Sequence, residues 1–343
     1  MAWIALCAVC LGLMALAQAV CCRLDRNRFP APGYIVPGSR DRLHVVKQGG
    51  GAPAVILEAG ISATSLSWSL VQPRIAALAT CYSYDRAGLG WSSASDHTCV
   101  LAEIVENLHA WIVHQEIPKP YILVGHSFGG YVVSAYAHRF AGEMAGLVLV
   151  DPITPDEWLN PTPAQRRRLR RAVWFTRSGA VLASIGVVRF CLWLLHFEKG
   201  SDESTGRGWL RKIATATDAG RRIQDEVKKL SPEIRRLIRL HWSSPGFFWT
   251  MANYIRALPV CAAELSGKTL PSDLPVTVLS GGHQPEDRLA EHAAIAKRAQ
   301  MGRHLVSSKS AHWIQFDEPE LVSDAVQAMI ASFEERRQPK AFF

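Results

Sequence analysis

The sequence lacks the signatures of nucleic-acid-binding and metal-binding proteins. It contains no zinc-finger, RNA-recognition or helix-turn-helix pattern, although its formal net charge is +8. That charge is local, because residues 152–270 hold 20 Lys and Arg against 10 Asp and Glu. Cys7 and Cys10 have CxxC spacing, but they lie in an apolar run where cysteines act as small hydrophobic residues. We therefore expect no nucleic acid, no metal and no other cofactor.

The first 22 residues lack charged side chains, and this run is about long enough to cross a bilayer. A basic region before the run is missing, which disfavours a secretory signal peptide. Arg23, Arg26 and Arg28 follow directly, and the positive-inside tendency would keep them and the catalytic domain in the cytosol. We expect residues 1–22 to be a membrane anchor. A signal peptide cleaved near Ala17-Gln18-Ala19, with secretion, is the second interpretation.

The chain also lacks an Asn-x-Ser/Thr glycosylation site, since Asn160 is followed by Pro161. This absence disfavours a glycosylated secreted enzyme. Cys21 and Cys22, at the end of the apolar run, are candidate palmitoylation sites if the segment is an anchor.

Strand-like and helix-like segments alternate in two parts of the chain, residues 40–151 and 271–337. This alternation predicts an α/β fold, with a mostly parallel sheet and helices on both of its faces. The alternation of strand-like and helix-like segments stops in residues 152–270. These residues have helical signals and few strand signals, so we expect a helical insertion there. The predicted strands are 43–47, 54–57, 81–84, 121–124, 147–150, 276–279 and 304–306; the predicted helices are one carrying Trp68 and Leu70, then 101–115, 131–137, 289–299 and 320–333.

Residues 125–129 read Gly-His-Ser-Phe-Gly, a GxSxG motif between a predicted strand and a predicted helix. In this context the motif is typical of a sharp strand-to-helix turn that exposes a nucleophilic serine. Ser127 is therefore the candidate nucleophile. The amide of Phe128 begins the following helix and is the candidate for the first oxyanion donor.

Three further blocks accompany this motif: residues 58–61 (Glu-Ala-Gly-Ile), 84–92 (Tyr-Asp-Arg-Ala-Gly-Leu-Gly-Trp-Ser) and 310–313 (Ser-Ala-His-Trp). Together they resemble the α/β-hydrolase superfamily, in the group of serine hydrolases with an inserted lid. The resemblance covers about residues 40–335 except the insertion. It implies that residues 152–270 form a helical lid, and it excludes dehalogenases and epoxide hydrolases, which would need Asp in place of Ser127.

The resemblance also assigns the general base. His312 occupies the loop after the last predicted strand, downstream of Ser127, as the Ser…acid…His order of the family requires. His126 adjoins the nucleophile, but its side chain should leave the turn in another direction, so we interpret it as a packing residue. Five other histidines are interpreted as surface or helix-face residues: His97, His109, His114, His283 and His292.

The acid of the triad is less clear in the sequence. Most similar hydrolases carry it after the strand that follows the lid, but here no carboxylate appears there until Glu286 and Asp287. Some relatives place it one strand earlier, where Asp151 stands. Asp151 is our prediction and Asp287 the second choice. The alternative is that Asp151 is a helix-capping or turn residue before Pro152.

The second oxyanion donor implied by the resemblance is the amide of Ile61, which follows Gly60. Glu58 stands where many relatives have His. A carboxylate near an oxyanion would be unfavourable, so we expect Glu58 to point away and bond the backbone or Arg86. Residues 85–90 lack the lysine of a P-loop and are interpreted as a turn that shapes the wall of the site.

The insertion has two notable segments. Residues 165–171 contain five arginines, and residues 180–197 are apolar apart from Ser184, Arg189 and His196. One interpretation is that the apolar helix covers the substrate pocket while the arginines face water. The other is that the lid rests on an anionic membrane surface.

The sequence thus predicts a membrane-tethered serine hydrolase that cleaves a hydrophobic carboxylic ester, or a related thioester or amide, through an acyl-enzyme on Ser127. The alternative is a ligand receptor on the same fold, with slow turnover or none.

Overall fold

The structure, a computed structural model, describes residues 1–94, 99–197 and 218–337. Residues 198–217 of the predicted insertion lie outside this part. The chain forms two compact units. The smaller contains Met1–Ala31 and Arg170–Ala252, and the larger contains Pro32–Leu169 and Asn253–Phe343.

The larger unit is built on an eight-stranded sheet in the order β1-β2-β4-β3-β5-β6-β7-β8. β2 pairs with β1 and with β4 in antiparallel fashion, and all other pairs are parallel. This topology confirms the predicted α/β class with a mostly parallel sheet. The strands are β1 (Tyr34–Pro37), β2 (Arg42–Gln48), β3 (Val55–Glu58), β4 (Cys81–Asp85), β5 (Tyr121–His126), β6 (Met144–Val150), β7 (Val276–Gly281) and β8 (Gly302–Ser307).

Helices connect the strands and form the smaller unit. Two 3-10 turns, Ser65–Trp68 and Ala141–Glu143, accompany them. The α-helices of the described residues are α1 (Ala2–Arg28), α2 (Gln72–Ala76), α3 (Leu101–His114), α4 (Phe128–Phe140), α5 (Pro155–Leu159), α6 (Pro163–Ser184), α7 (Val187–Phe197), α8 (Asp218–Lys228), α9 (Pro232–Trp242), α10 (Pro245–Leu265), α11 (Glu286–Arg298), α12 (Ile314–Asp317) and α13 (Pro319–Arg337).

The core of the larger unit lies around the central strands. Every residue of β3, β5, β6 and β7 is buried. Such strands read as continuous apolar runs because helices cover both faces of a parallel sheet. On one face α13 packs closely: a Cβ on Gly146 would lie within 2.3 Å of the Met329 sulfur. The carboxyl ends of the parallel strands share one edge of the sheet, where α/β proteins place their sites.

Each of the seven predicted strands is present, but β1 was not predicted. The predicted helix carrying Trp68 and Leu70 was wrong. Trp68 ends a four-residue 3-10 turn and is completely buried, and α2 begins only at Gln72. Pro73 explains the restart, because proline is favoured in the first turn of a helix and disfavoured in its interior.

In the smaller unit, α1 has 27 residues and only Gln18 is buried. It is the one helix of the described residues that is by itself long and apolar enough to span a membrane. A signal sequence would pass the same test.

The apolar run 180–197 does not form one helix. α6 ends at Ser184 and α7 begins at Val187, and the two axes are bent by 87°. Gly186 lies between them with φ +79°, a conformation that glycine adopts without strain. The five arginines of residues 165–171 are exposed, as both interpretations of the insertion require.

Candidate active site

Ser127 lies in the sharp turn between β5 and α4. Its backbone has φ 53° and ψ −116°, a strained conformation for a residue with a side chain. The turn needs both flanking glycines. A Cβ on Gly125 would lie 2.5 Å from the carbonyl oxygen of Gly129, and a Cβ on Gly129 would lie 2.5 Å from that of Glu58. The GxSxG spacing is therefore set by close contact between β5, α4 and the end of β3.

Backbone hydrogen bonds hold Ser127 beside the end of β6. Its amide donates to the carbonyl of Val150 at 3.0 Å, and its own carbonyl accepts from the amide of Ile153 at 3.4 Å. These two bonds bracket Asp151. The serine is therefore fixed next to the turn that carries the predicted acid.

Asp151 contacts His312. The Nδ1–H of His312 donates to Asp151 Oδ2 at 2.5 Å. The same carboxylate accepts from the amide of Gly281 at 3.0 Å and from Nε2 of Gln284 at 2.5 Å. Burial alone would raise the pKa of Asp151. The hydrogen bond and charge of the His312 ring and the Gly281 amide outweigh it, so the pKa is lowered from its usual value.

The second candidate acid lies elsewhere. Asp287 is exposed in the first turn of α11, and its Oδ1 accepts from the amide of Arg288 at 2.9 Å. The structure thus brings Asp151, and not Asp287, to the ring of His312. Asp151 does not cap the helix that follows it, because the N-cap of α5 is Thr154.

His312 follows β8 and lies close to the nucleophile turn. Its ring centroid is 4.9 Å from that of His126, the neighbour of Ser127. Among the hydrogen bonds of the described residues, none joins the Ser127 hydroxyl to the His312 ring. Catalytic hydrogen bonds of this type are often long without substrate and tighten when it binds.

His126 is a buried packing residue, as predicted. Its Nε2–H donates to the carbonyl oxygen of His312 at 3.0 Å, and its Nδ1 accepts from Gln315 at 3.3 Å. Burial, with the nearby His312 ring, lowers the pKa of His126 to about 3. The side chain is therefore neutral near pH 7 and joins the nucleophile turn to the histidine loop.

The loop after β3 lies against the nucleophile turn. A Cβ on Gly60 would lie 3.6 Å from the Cβ of Ser127. Arg86 binds three successive carbonyls of this loop: Nη1 donates to Ala59 at 2.6 Å, and Nη2 donates to Gly60 and, at 3.2 Å, to Ile61. One guanidinium therefore fixes the direction of three peptide groups beside Ser127.

Glu58 forms an ion pair with Arg86, as the sequence predicted, and accepts a hydrogen bond from the hydroxyl of Tyr84. Burial raises the pKa of Glu58, although the charge of Arg86 opposes this effect. The guanidinium also lies 5.3 Å from the ring centroid of Phe128 and 5.0 Å from that of Tyr254. Arg86 thus contacts both segments that carry the candidate oxyanion donors.

The interpretation of His292 as a surface or helix-face residue was right about the helix and wrong about exposure to solvent. His292 lies on a helix but is completely buried, and its Nε2–H donates to the carbonyl of Pro152 at 2.8 Å. Its Nδ1 accepts from Ser280 at 2.7 Å, and Ser280 accepts from His304 at 2.7 Å. No local sequence signal marks this contact, because Pro152 lies 140 positions from His292 in the chain. His97 lies outside the described residues.

A second buried pair was also missed. Nδ1 of His44 contacts Asp85 Oδ2 at 2.8 Å, and its Nε2 contacts the carbonyl of Pro32. Both ring nitrogens face acceptors, an arrangement that favours the protonated ring. Burial lowers the pKa of His44, but Asp85 outweighs it and the pKa is raised overall. This pair lies on the antiparallel side of the sheet and braces the turn after β4.

The described residues contain no group of three or more His, Cys, Asp or Glu arranged to hold a metal ion. Within the same part of the chain, no disulfide joins any of the cysteines.

A family model described as "Alpha/beta hydrolase family" matches residues 54–325. The chain is 29% identical over 140 residues to "Abhydrolase domain-containing protein abhd-5.2" of Caenorhabditis elegans, covering 39% of this chain and 31% of that protein. It is 32% identical over 105 residues to "1-acylglycerol-3-phosphate O-acyltransferase ABHD5" of Rattus norvegicus, covering 29% of each. The chain thus spans about a third of the length of these curated relatives.

Among solved structures, an esterase from Thermogutta terrifontis is similar, with a TM-score of 0.62 and 18% identity. The match covers 88% of this chain and 98% of the esterase. At this identity the likeness shows a shared fold.

Proposed function

Since the chain belongs to the alpha/beta hydrolase family, we propose that it is a serine hydrolase that cleaves a hydrophobic carboxylic ester, or a related thioester or amide, through an acyl-enzyme on Ser127. The contact between His312 and Asp151 carries this proposal. It joins a ring and a carboxylate 161 positions apart in sequence, beside the turn that carries the serine.

In the proposed reaction Asp151 orients the base. Because its carboxylate accepts the Nδ1–H of His312, the Nε2 lone pair is left to take a proton. The Ser127 oxygen attacks the carbonyl carbon of the ester while its proton moves to Nε2. The C–O bond to the alcohol then breaks, and the alcohol leaves with that proton. Water repeats the sequence to release the acid and free the serine.

The amides of Phe128 and Ile61 would bind the negative oxygen formed in each step. Each such donor contributes roughly 2.7–4 kcal/mol in comparable sites. The contacts of Arg86 support this assignment, because they turn the carbonyls of the β3 loop toward the guanidinium and leave its amides for the opposite side. Arg86 is a positioning residue in this proposal.

The substrate is proposed to be membrane-derived. α1 has the length and composition of a membrane anchor, and Arg23, Arg26 and Arg28 at its end favour a cytosolic catalytic domain. Residues 152–270 are proposed to act as the helical lid, with the exposed arginines of residues 165–171 facing anionic lipid. The rat relative is named for an acylated glycerol phosphate, which supports an acyl-lipid substrate.

Labelling with a fluorophosphonate probe tests the nucleophile. We expect the full-length protein in nonionic detergent to be labelled, and the label to be lost in Ser127→Ala. Ser134→Ala is the matched control, because Ser134 lies about two turns further along α4 and its loss should leave labelling unchanged. If the intact, folded protein is not labelled, the proposed hydrolase activity is contradicted and the alternative of a ligand receptor on the same fold is favoured. If Ser127 is labelled, hydrolysis rates of ester substrates with increasing acyl length would show which chain length the acyl pocket accepts.

A further inference from the structure

The smaller unit contains a cavity with a volume of about 580 Å³. We call it the arginine groove. It lies between α7 and α9, and a volume of this size is typical of small-molecule and cofactor sites. Its lining combines guanidinium groups with aromatic and aliphatic side chains: Arg189, Arg236, Arg239, Phe190, Trp193 and Leu240.

The positive charge in the groove is only partly neutralised. Arg189 forms an ion pair with Asp25 of α1. Within the described part of the chain, no acidic side chain lies within 4 Å of Arg236 or Arg239 in an ion pair. Burial lowers the pKa of Arg239, and the neighbouring charges of Arg235 and Arg236 lower it further. An anion bound here would therefore relieve repulsion as well as gain charge-assisted hydrogen bonds.

Contacts with the N-terminal segment fix the level of the groove along that segment. Gln18 donates to the carbonyl of Ser243 at 2.8 Å and accepts from Arg189 at 2.8 Å. The guanidinium of Arg236 lies 5.6 Å from the ring centroid of Phe29. These contacts all involve residues 18–29, whereas residues 2–17 are apolar and, apart from the half-buried Ala15, exposed.

If residues 2–17 lie in the hydrocarbon of a bilayer, residues 18–29 lie at the depth of the lipid headgroups. The groove is then at that depth too. Phe190 and Trp193 are more than half exposed, and aromatic side chains are enriched at this interface. Free phosphate would use the guanidinium groups but leave these rings unused, so the lining favours an amphiphile over an inorganic ion.

We propose that the arginine groove binds an anionic phospholipid, with its phosphate held by Arg236 and Arg239 and its glycerol and upper acyl carbons against Phe190 and Trp193. This site is separate from the Ser127 site and rests on the anchoring part of the proposed function. The bound lipid is a structural and orienting ligand, not the substrate. Bidentate geometry suits arginine to a phosphate at a membrane surface.

Photocrosslinking in nanodiscs tests the site. The full-length protein is placed in phosphatidylcholine discs that contain a trace of photoreactive phosphatidylglycerol or, in parallel, photoreactive phosphatidylcholine. We expect the anionic probe to label peptides that contain residues 186–193 and 236–243, and the zwitterionic probe to label them much less. Arg236→Gln/Arg239→Gln should weaken labelling by about thirtyfold. This factor corresponds to a binding free energy of about 1 kcal/mol from each of the two arginines.

Arg298→Gln/Arg303→Gln is the matched control, because it removes the same charge from two exposed positions outside residues 152–270 and should leave groove labelling unchanged. Equal labelling by both lipids, or no loss in the groove variant, would overturn the proposal. Displacement by millimolar inorganic phosphate would show that a free anion is the ligand and would also overturn it. Fluorophosphonate labelling of the same discs reports separately on Ser127. Failure to enter discs would count against the anchor, and with it against the site.

Discussion

Asp151→Asn separates the two candidate acids. An amide keeps the shape of the carboxylate but replaces one of its oxygens with an NH₂ group. Three donors point at the carboxylate, from Gly281, Gln284 and His312, so no orientation of the amide can accept all three bonds. An amide that donates to His312 Nδ1 forces the proton onto Nε2. The base would then face Ser127 with a hydrogen instead of a lone pair.

We expect kcat to fall by about 10⁴-fold, the effect of the same change in a serine protease triad. This corresponds to about 5.5 kcal/mol of transition-state stabilisation. KM should change little, because the carboxylate does not contact substrate in the proposed mechanism. The free energy of unfolding should fall by only about 1–3 kcal/mol, the cost of one unsatisfied buried donor.

The assay is ester hydrolysis by the full-length protein in detergent, with circular dichroism as the check on folding. Asp287→Asn is the matched control and should retain activity within about twofold, since Asp287 is exposed and bonds only Arg288 among the hydrogen bonds described above. A folded Asp151→Asn protein that keeps a tenth of the activity would refute the assignment of the acid. Equal losses in the two variants would do the same.

Three further predictions concern the surroundings of the site. Arg86→Met should lower the free energy of unfolding by about 3–5 kcal/mol, because Glu58 loses its ion-pair partner. Glu58→Leu/Arg86→Met should recover most of this stability in thermal unfolding but should not recover kcat. Recovery of both stability and kcat would contradict the positioning role of Arg86. Gly129→Ala should destabilise by about 1–3 kcal/mol and slow fluorophosphonate labelling, because its Cβ meets backbone at 2.5 Å, whereas Gly142→Ala meets nothing within 4 Å and should be neutral in both assays. Because the pKa of His126 is lowered to about 3 in the folded protein, only the unfolded chain binds a proton at this ring between pH 6.5 and pH 3, and the free energy of unfolding falls as the pH decreases. In His126→Gln the slope of this free energy against pH, over the same range, should be smaller by about 1.4 kcal/mol per pH unit. An unchanged slope would show that the ring is not neutral.

The sequence predicted the parallel strands well because each is a short apolar run bounded by turn residues. It missed β1, a four-residue edge strand that ends in Pro37 and has one buried residue. It also read residues 180–197 as one apolar stretch. Composition cannot show that Gly186 adopts a positive φ and turns the chain, since that conformation depends on the contacts of the two flanking helices.

The sequence predicted the candidate residues of the site but not the contacts between residues that are distant in the chain. The position of Asp151 at the end of a strand was enough to make it a candidate, but only coordinates place its carboxylate at the ring of His312 and that of Asp287 in solvent. The roles of Gln284 and His292 were not predictable, because each acts through a bond to a residue more than 100 positions away. Such pairings depend on strand order, which no local pattern encodes.

Because Arg86 donates hydrogen bonds to three successive carbonyls of the loop after β3, this loop cannot be redesigned by itself. A replacement loop grafted after β3 to widen the acyl pocket would succeed only if its peptide groups all turned the same way at the same spacing. The segment 58–61 and the turn that begins at Asp85 are therefore one exchangeable cassette, and libraries that vary one while holding the other constant would mostly sample sites with misdirected amides.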